Sequence, residues 1–270
     1  MIKRISILFV AILCLCSGLY AGQNLSNRVN KFGRAPSGVQ STATDIWDLA
    51  DATPTQSVWL PPETARVHAI VSSDTGDDGS PAGLGAQTIR VYGLTAWTEL
   101  ETSEDVILDG TTPVNTTNSY VIINRMKVLT TGASNSAINI GNIKATAAVN
   151  GTITAQINAG EGQTQMAIYG IPSTQDMVMD CWYGTVNKAQ GAAASINFSF
   201  TINDPVNFGT NTAFVVKNTR GLQSTGKSAD QWFWPEGFLV EGPAIIKIQG
   251  LANTNDVEGS AGFNGRLQSK

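Results

Sequence analysis

The chain has one histidine, three cysteines and few charges, and each shortage removes a class of function. The single histidine, His68, is flanked by Val67 and Ala69 in a run patterned as a strand. A serine triad needs a histidine held by a carboxylate beside an activated hydroxyl, and no GxSxG elbow accompanies this one. A zinc site needs several Cys or His ligands, so a structural role is read for His68. Cys14 and Cys16 fall in the apolar N-terminal stretch, which leaves Cys181 alone. One cysteine cannot staple a fold, so stability must come from the core and from partners. Cys181 sits in the strand-like run Met177 to Val186 and reads as a small buried hydrophobe. Only 14% of residues are charged and the net charge is −4. Without a basic stripe to neutralise phosphates, nucleic acid is not an expected partner. No window carries the 3.6-residue apolar period of an amphipathic helix.

What is present begins with a leader. Lys3 and Arg4 precede the apolar run Ile5 to Leu15, and Ala21 offers a small residue for cleavage. Residues 1–22 therefore read as a secretory signal peptide, with too short an apolar run for the roughly 20 residues of a membrane span. The rest is rich in Thr, Asn, Ser, Ala, Gly and Val. That mix suits strands with neutral polar faces, and a surface with little charge costs little to bury against another copy.

The alternation is clearest in Gly151 to Pro172. Ile153, Ala155 and Ile157 share one face of the first run; Ala167, Tyr169 and Ile171 oppose Met166 and Ile168 in the second. Period 2 marks strands, and the glycines between them suit a reversal with positive φ, so a β-hairpin is predicted here. Further strand signals fall at Arg66–Ser72, Gln87–Leu94, Trp97–Leu100, Asp105–Leu108, Ser119–Ile123, Arg125–Thr130 and Ile138–Val149. Beyond the hairpin they fall at Met177–Val186, Ala194–Ile202, Thr212–Lys217, Gln231–Val240 and Ala244–Gln249. Short strands at this spacing predict an all-β, antiparallel β-sandwich or jelly-roll fold. The expected layout is a leader (1–22), an extended N-terminal arm (23–62) and two sandwich subdomains (63–149 and 150–270). Within the arm, Asp45–Leu49 and Ser57–Leu60 are apolar islands able to clamp it onto a sheet.

Candidate chemistry is thin. Asp74, Asp77 and Asp78 share a glycine-rich loop, but the spacing is not an EF-hand and no Glu closes it, so they read as solvated turn residues and no metal is assigned. Glu99, Glu101, Glu104 and Asp105 show no sign of the defined facing pair a glycosidase needs, and read as a solvated edge. Gly83-Leu-Gly85 is too short for a dinucleotide fingerprint. No catalytic residue, cofactor or small-molecule substrate is expected. The aromatic cluster Trp232-Phe233-Trp234 is the one candidate site, either core or an interface anchor; extended, it puts both tryptophans on one face and Phe233 on the other. A sugar-binding platform is a third reading of it.

Several stretches resemble a family of virion structural proteins of marine tailed bacteriophages. They are Phe32-Gly-Arg34, the loop from Ser72-Ser-Asp74 to Ala82-Gly-Leu-Gly-Ala86, Thr88–Leu94, Leu108–Thr112, Asn118-Ser-Tyr120 and Ile123-Asn-Arg-Met126. In the second half they are Ala155-Gln-Ile157, Gly162-Gln-Thr164, Met166–Tyr169, Ile171-Pro172 and Gly262–Leu267. The resemblance implies a non-enzymatic, β-rich particle component on the capsid exterior, self-associating and contacting other virion proteins such as the major capsid protein. The leader points elsewhere, to an exported surface protein, an adhesin or a carbohydrate-binding β-sandwich module, and that alternative stays open.

Overall fold

The computed structural model describes residues 27–49, 56–62, 64–132, 138–149, 151–186, 194–203 and 213–270; the expected leader lies outside them. Their regular structure is strands with no α-helix, and all strand pairs are antiparallel. The all-β expectation is met.

Four sheets result. The first joins β1 (Arg28–Arg34), β11 (Gln175–Val186), β14 (Ala229–Glu241) and β16 (Gly259–Ser269) in the order β1-β16-β11-β14. The second joins β10 (Ile168–Ile171), β12 (Ser195–Asn203), β13 (Val215–Gln223) and β15 (Ala244–Ala252) in the order β10-β15-β12-β13, with β2 (Thr44–Asp45) also on β15. The third has β3 (His68–Ser72), β6 (Val114–Asn115), β8 (Ile143–Ala147) and β9 (Ile153–Ile157) in the order β6-β3-β8-β9. The fourth is β5-β4-β7, built from β4 (Ala86–Leu94), β5 (Thr102–Ile107) and β7 (Ile122–Thr131).

Two hydrophobic clusters lie among these sheets. Met177, Met179, Trp182 and Phe263 of the first sheet meet Phe198, Phe200, Ile246 and Ile248 of the second. Ile70, Ile89, Val91, Met126, Ala155 and Ile157 of the third and fourth sheets form the other cluster, with Trp47 and Trp59. The second sheet serves both. Ala167, Tyr169, Ile171, Ala244 and Ile246 belong to one cluster, whereas Met166, Ile168 and Ile245 belong to the other. A strand walled on both faces must be apolar on both, which explains the uninterrupted run Met166 to Ile171.

That wall also overturns the predicted hairpin. β9 pairs with β8, Lys144 opposite Gln156, while β10 pairs with β15, Tyr169 opposite Ile246. Gly160 and Gly162 do take positive φ. The turn they make is an excursion along β7, where the Val128 N–H donates to Gly162 O at 2.8 Å and the Thr164 N–H to Met126 O at 3.0 Å. A two-stranded hairpin would have left one face of residues 166–171 in water.

The arm is clamped onto the chain's own sheets. β1 pairs along its length with β16, from Arg28 opposite Arg266 to Arg34 opposite Ser260. The fully buried Asp45 carboxylate accepts from the Trp59 N–H at 2.7 Å, Lys247 Nζ at 2.7 Å and Gln249 Nε2 at 3.0 Å, which ties both apolar islands to β15. Three smaller expectations also change. Ser119–Ile123 and Arg125–Thr130 contribute to one strand, β7, Trp97–Leu100 is a turn, and β16 carried no strand signal. Glycine hid β16: a Cβ on Gly262 would sit 2.4 Å from the Tyr183 hydroxyl, so the position must be bare for that side chain to cross it.

Candidate functional site

The aromatic cluster lies on β14, which among the described residues bonds to a neighbouring strand on one side only. Trp232 stands opposite Trp182 and Phe233 opposite Cys181. Because directly opposed residues share a sheet face, Trp232 turns with Trp182 toward the core and Phe233 turns outward. Pairing then slips: Phe233 matches Cys181 and Phe238 matches Met179, so four residues of β14 face the single residue Asp180. Inside this bulge Trp234 packs on the first cluster, 5.4 Å from the Phe200 ring centroid, and stacks on Phe238. Both tryptophans thus share the inner face, as the alternation predicts. Trp234 is half-buried, whereas Trp232 and Phe233 keep 38% and 58% of their surface exposed.

β13 is the matching end of the second sheet. A turn over 224–228 links it to β14, so the two open edges flank one side of the first cluster. Arg220 of β13 lies over the Trp232 ring, 3.9 Å from its centroid, and bridges the gap. Val215, Val216 and Leu239 add exposed apolar surface along these edges.

The remaining sequence candidates are held in the fold's own hydrogen bonds. His68 is fully buried, its Nδ1 lies 2.9 Å from Arg66 O, and burial pushes its pKa down to about 4. Cys181 is buried, its Sγ accepting from Gln231 Nε2 at 3.3 Å and Asn264 Nδ2 at 3.5 Å. Asp77 is fully buried rather than solvated. It accepts from Ser72 Oγ at 2.6 Å and from the N–H groups of Ala86, Ile140 and Gly141 at 2.8 Å each, which pins the loop to the end of β3, the start of β4 and the stretch before β8. Asp74 and Asp78 cap the Gly76 and Ser80 N–H groups, both at 2.7 Å. Among the described residues no group of three or more His, Cys, Asp or Glu is placed to hold a metal. The Glu99–Asp105 run is divided: Asp105 grips Arg90 at 2.6 and 2.8 Å, Glu104 accepts from the Thr117 N–H at 2.7 Å, and Glu101 from Asn124 Nδ2 at 2.6 Å.

Two buried polar clusters were invisible in the sequence. Asp48, 1% exposed, accepts from the Gln165 N–H at 2.6 Å and Asn158 Nδ2 at 3.3 Å. Burial pushes its pKa up to about 8, with the nearby Glu161 carboxylate adding to the rise. Glu161 in turn pairs with Arg34 of β1. The second cluster centres on Lys31, 4% exposed, whose ammonium donates to Asn124 O. A cavity of about 390 Å³ opens beside it, lined also by Glu101, Arg125, Tyr92 and Tyr169. Lys31 hides in β1 because Val29 and Lys31 share the inner face, where a lysine breaks the apolar pattern.

Comparison with known proteins adds no relative: no family model matches the chain, and neither does any curated protein or solved structure.

Proposed function

We propose that the protein is a non-enzymatic structural component of a virion that assembles with copies of itself on the capsid exterior. The observation that carries this reading is the pair of open edges, β13 and β14, with Trp232, Phe233, Leu239, Val215 and Val216 exposed along them. Edge strands left apolar are templates for another strand, and soluble monomers usually blunt them with charge. Pro235 and the bulge interrupt β14 at its centre, so the arm Ala229–Phe233, with Trp232 and Phe233 on it, is the stretch that fits the same arm of a second copy running antiparallel across a two-fold axis. The layering of each hydrophobic cluster between sheets is read as a β-sandwich, the second sheet being common to both. The residue-level resemblance to phage virion proteins supports the particle assignment, with the major capsid protein as the second partner.

Mass spectrometry of purified particles tests it. The protein should be present at a fixed ratio to the major coat subunit and should cross-link to itself through residues near β14. Absence from washed particles would refute the assignment.

One observation favours a second reading, an exported glycan-binding module. The outer face of the first sheet sets Phe32, Tyr183 and Phe233 among Asn30, Asn264 and Gln231. Planar rings with amides around them suit sugar stacking, and binding on a glycan array with loss in Tyr183→Ala would support it.

A further inference from the structure

The cavity beside Lys31 has no part in assembly through β14, because β1 and β14 are opposite ends of the first sheet. Ligand binding at one end and self-association at the other can each occur alone. Lys31 is 4% exposed, and its ammonium donates to the Asn124 backbone oxygen. An ammonium has three donors, and among the described residues no carboxylate lies within ion-pair distance of this one. Arg125 follows on β7 and reaches across to β1, its Nη2 donating to Asn30 O at 3.1 Å. Arg28, exposed, is a third cation on the lining, against one carboxylate, Glu101. A buried charge without a counter-ion is costly, and an anion entering this cavity supplies the one that is missing.

We propose that this cavity binds an acidic sugar, with its carboxylate on Lys31 and Arg125 and its hydroxyls on the polar groups around them. A guanidinium matches a carboxylate with two parallel donors, and the ammonium adds a point charge. Arg125 stands directly opposite Tyr92 of β4, so the two share a face, and Tyr169 of β10 lines the same cavity. Two phenol rings offer flat apolar surface to the C–H face of a pyranose. Glu101 accepts hydroxyls, and it is held ready: Asn124 Nδ2 donates to its Oε2 at 2.6 Å, and the Gly170 N–H fixes Asn124 Oδ1 at 2.8 Å. A phosphate would set a second negative charge and no carbon-bound hydroxyls against Glu101, which favours a singly charged, hydroxylated acid. The volume, about 390 Å³, falls within the roughly 300–1,000 Å³ of small-ligand sites and suits one sugar residue. Burial, with the Arg125 charge adding to it, brings the Lys31 pKa down to about 7, while Glu101 and Asp48 pull the other way more weakly. A bound carboxylate draws the proton back onto Lys31.

The test is titration calorimetry of the full chain with glucuronate and with N-acetylneuraminate, beside glucose and acetate as controls. Saturable binding of one acidic sugar per chain is expected, with none for glucose and acetate weaker by about tenfold or more. Arg125→Ala and Lys31→Met, each keeping the wild-type melt, should weaken it by about tenfold or more. Wild-type affinity should fall roughly tenfold from pH 6 to pH 8 as Lys31 loses its proton, and Lys31→Met should lose that dependence. Equal binding of the methyl glycoside supports the end of a glycan as the source, and its exclusion supports the free acid. Folded wild type that binds neither acid would overturn the proposal. So would glucose or acetate binding as tightly as the acids, or both variants binding as well as wild type.

Discussion

The Arg220 guanidinium lies 3.9 Å from the centroid of the Trp232 ring and so joins two edge strands that share no ladder. β13 and β14 end different sheets, and this stack is the bridge across the open side of the first cluster. A cation over indole at a partly exposed site contributes roughly 0.5–1 kcal/mol. Arg220→Ala should therefore lower stability by about that amount in a urea melt, and Arg220→Lys by less. A larger loss would mean that the bridge holds the sheets together rather than covering an exposed ring.

The Asp45–Lys247 ion pair is buried on both sides, 0% and 4% exposed, at 2.7 Å. Lys247→Met leaves a carboxylate with no counter-ion in the core and should cost about 3–5 kcal/mol. Adding Asp45→Asn should restore most of it, because Asn keeps an acceptor for the Trp59 N–H. A double mutant as unstable as the single one would show that the lysine acts through packing over Phe214, 4.2 Å away.

Asp48 makes stability depend on pH in a particular direction. Its folded pKa of about 8 exceeds its ordinary 3.8, so the folded chain holds the proton more tightly than the unfolded one. The stabilisation is complete below pH of about 4 and disappears as pH rises through about 8. Asp48→Asn mimics the protonated form. Relative to this variant, wild type should lose roughly 2–5 kcal/mol between pH 5 and 8.5, read from melts at matched ionic strength. Parallel curves would place the proton elsewhere.

Asp77 accepts four hydrogen bonds, three from backbone N–H groups, two of them buried. Asp77→Ala strands these donors and should cost at least about 3 kcal/mol, with added calcium having no effect on the wild-type melt. A calcium-dependent rise in Tm would return the loop to metal binding.

The legible part of this fold was the part that alternates against one core. β4, β11, β12 and β15 fall close to where period 2 places them. The join between β9 and β10 was misread because apolar residues on both faces of 166–171 signal two walls, and alternation alone does not say which strands supply them. β16 was missed because Gly259, Gly262 and Gly265 yield to Ile196, Tyr183 and Met177, partners distant in sequence. The face division of Trp232, Phe233 and Trp234 was readable; the bulge that sinks Trp234 into the core was not, since it depends on the register with Asp180. The Lys31 and Asp48 clusters are assembled from residues far apart in the chain, each unremarkable in its local sequence.

Self-association through the open edge of β14 is the central claim, and Phe233, 58% exposed and facing outward, is the most exposed large hydrophobic on that strand. The direct measurement is sedimentation velocity of wild type and Phe233→Arg over a concentration series, with a thermal melt of each. Wild type should form dimers or larger species as concentration rises. Phe233→Arg should stay monomeric with stability within about 0.5 kcal/mol, as for an exposed substitution. Wild type that stays monomeric throughout, or a variant that assembles as well as wild type, would contradict the account.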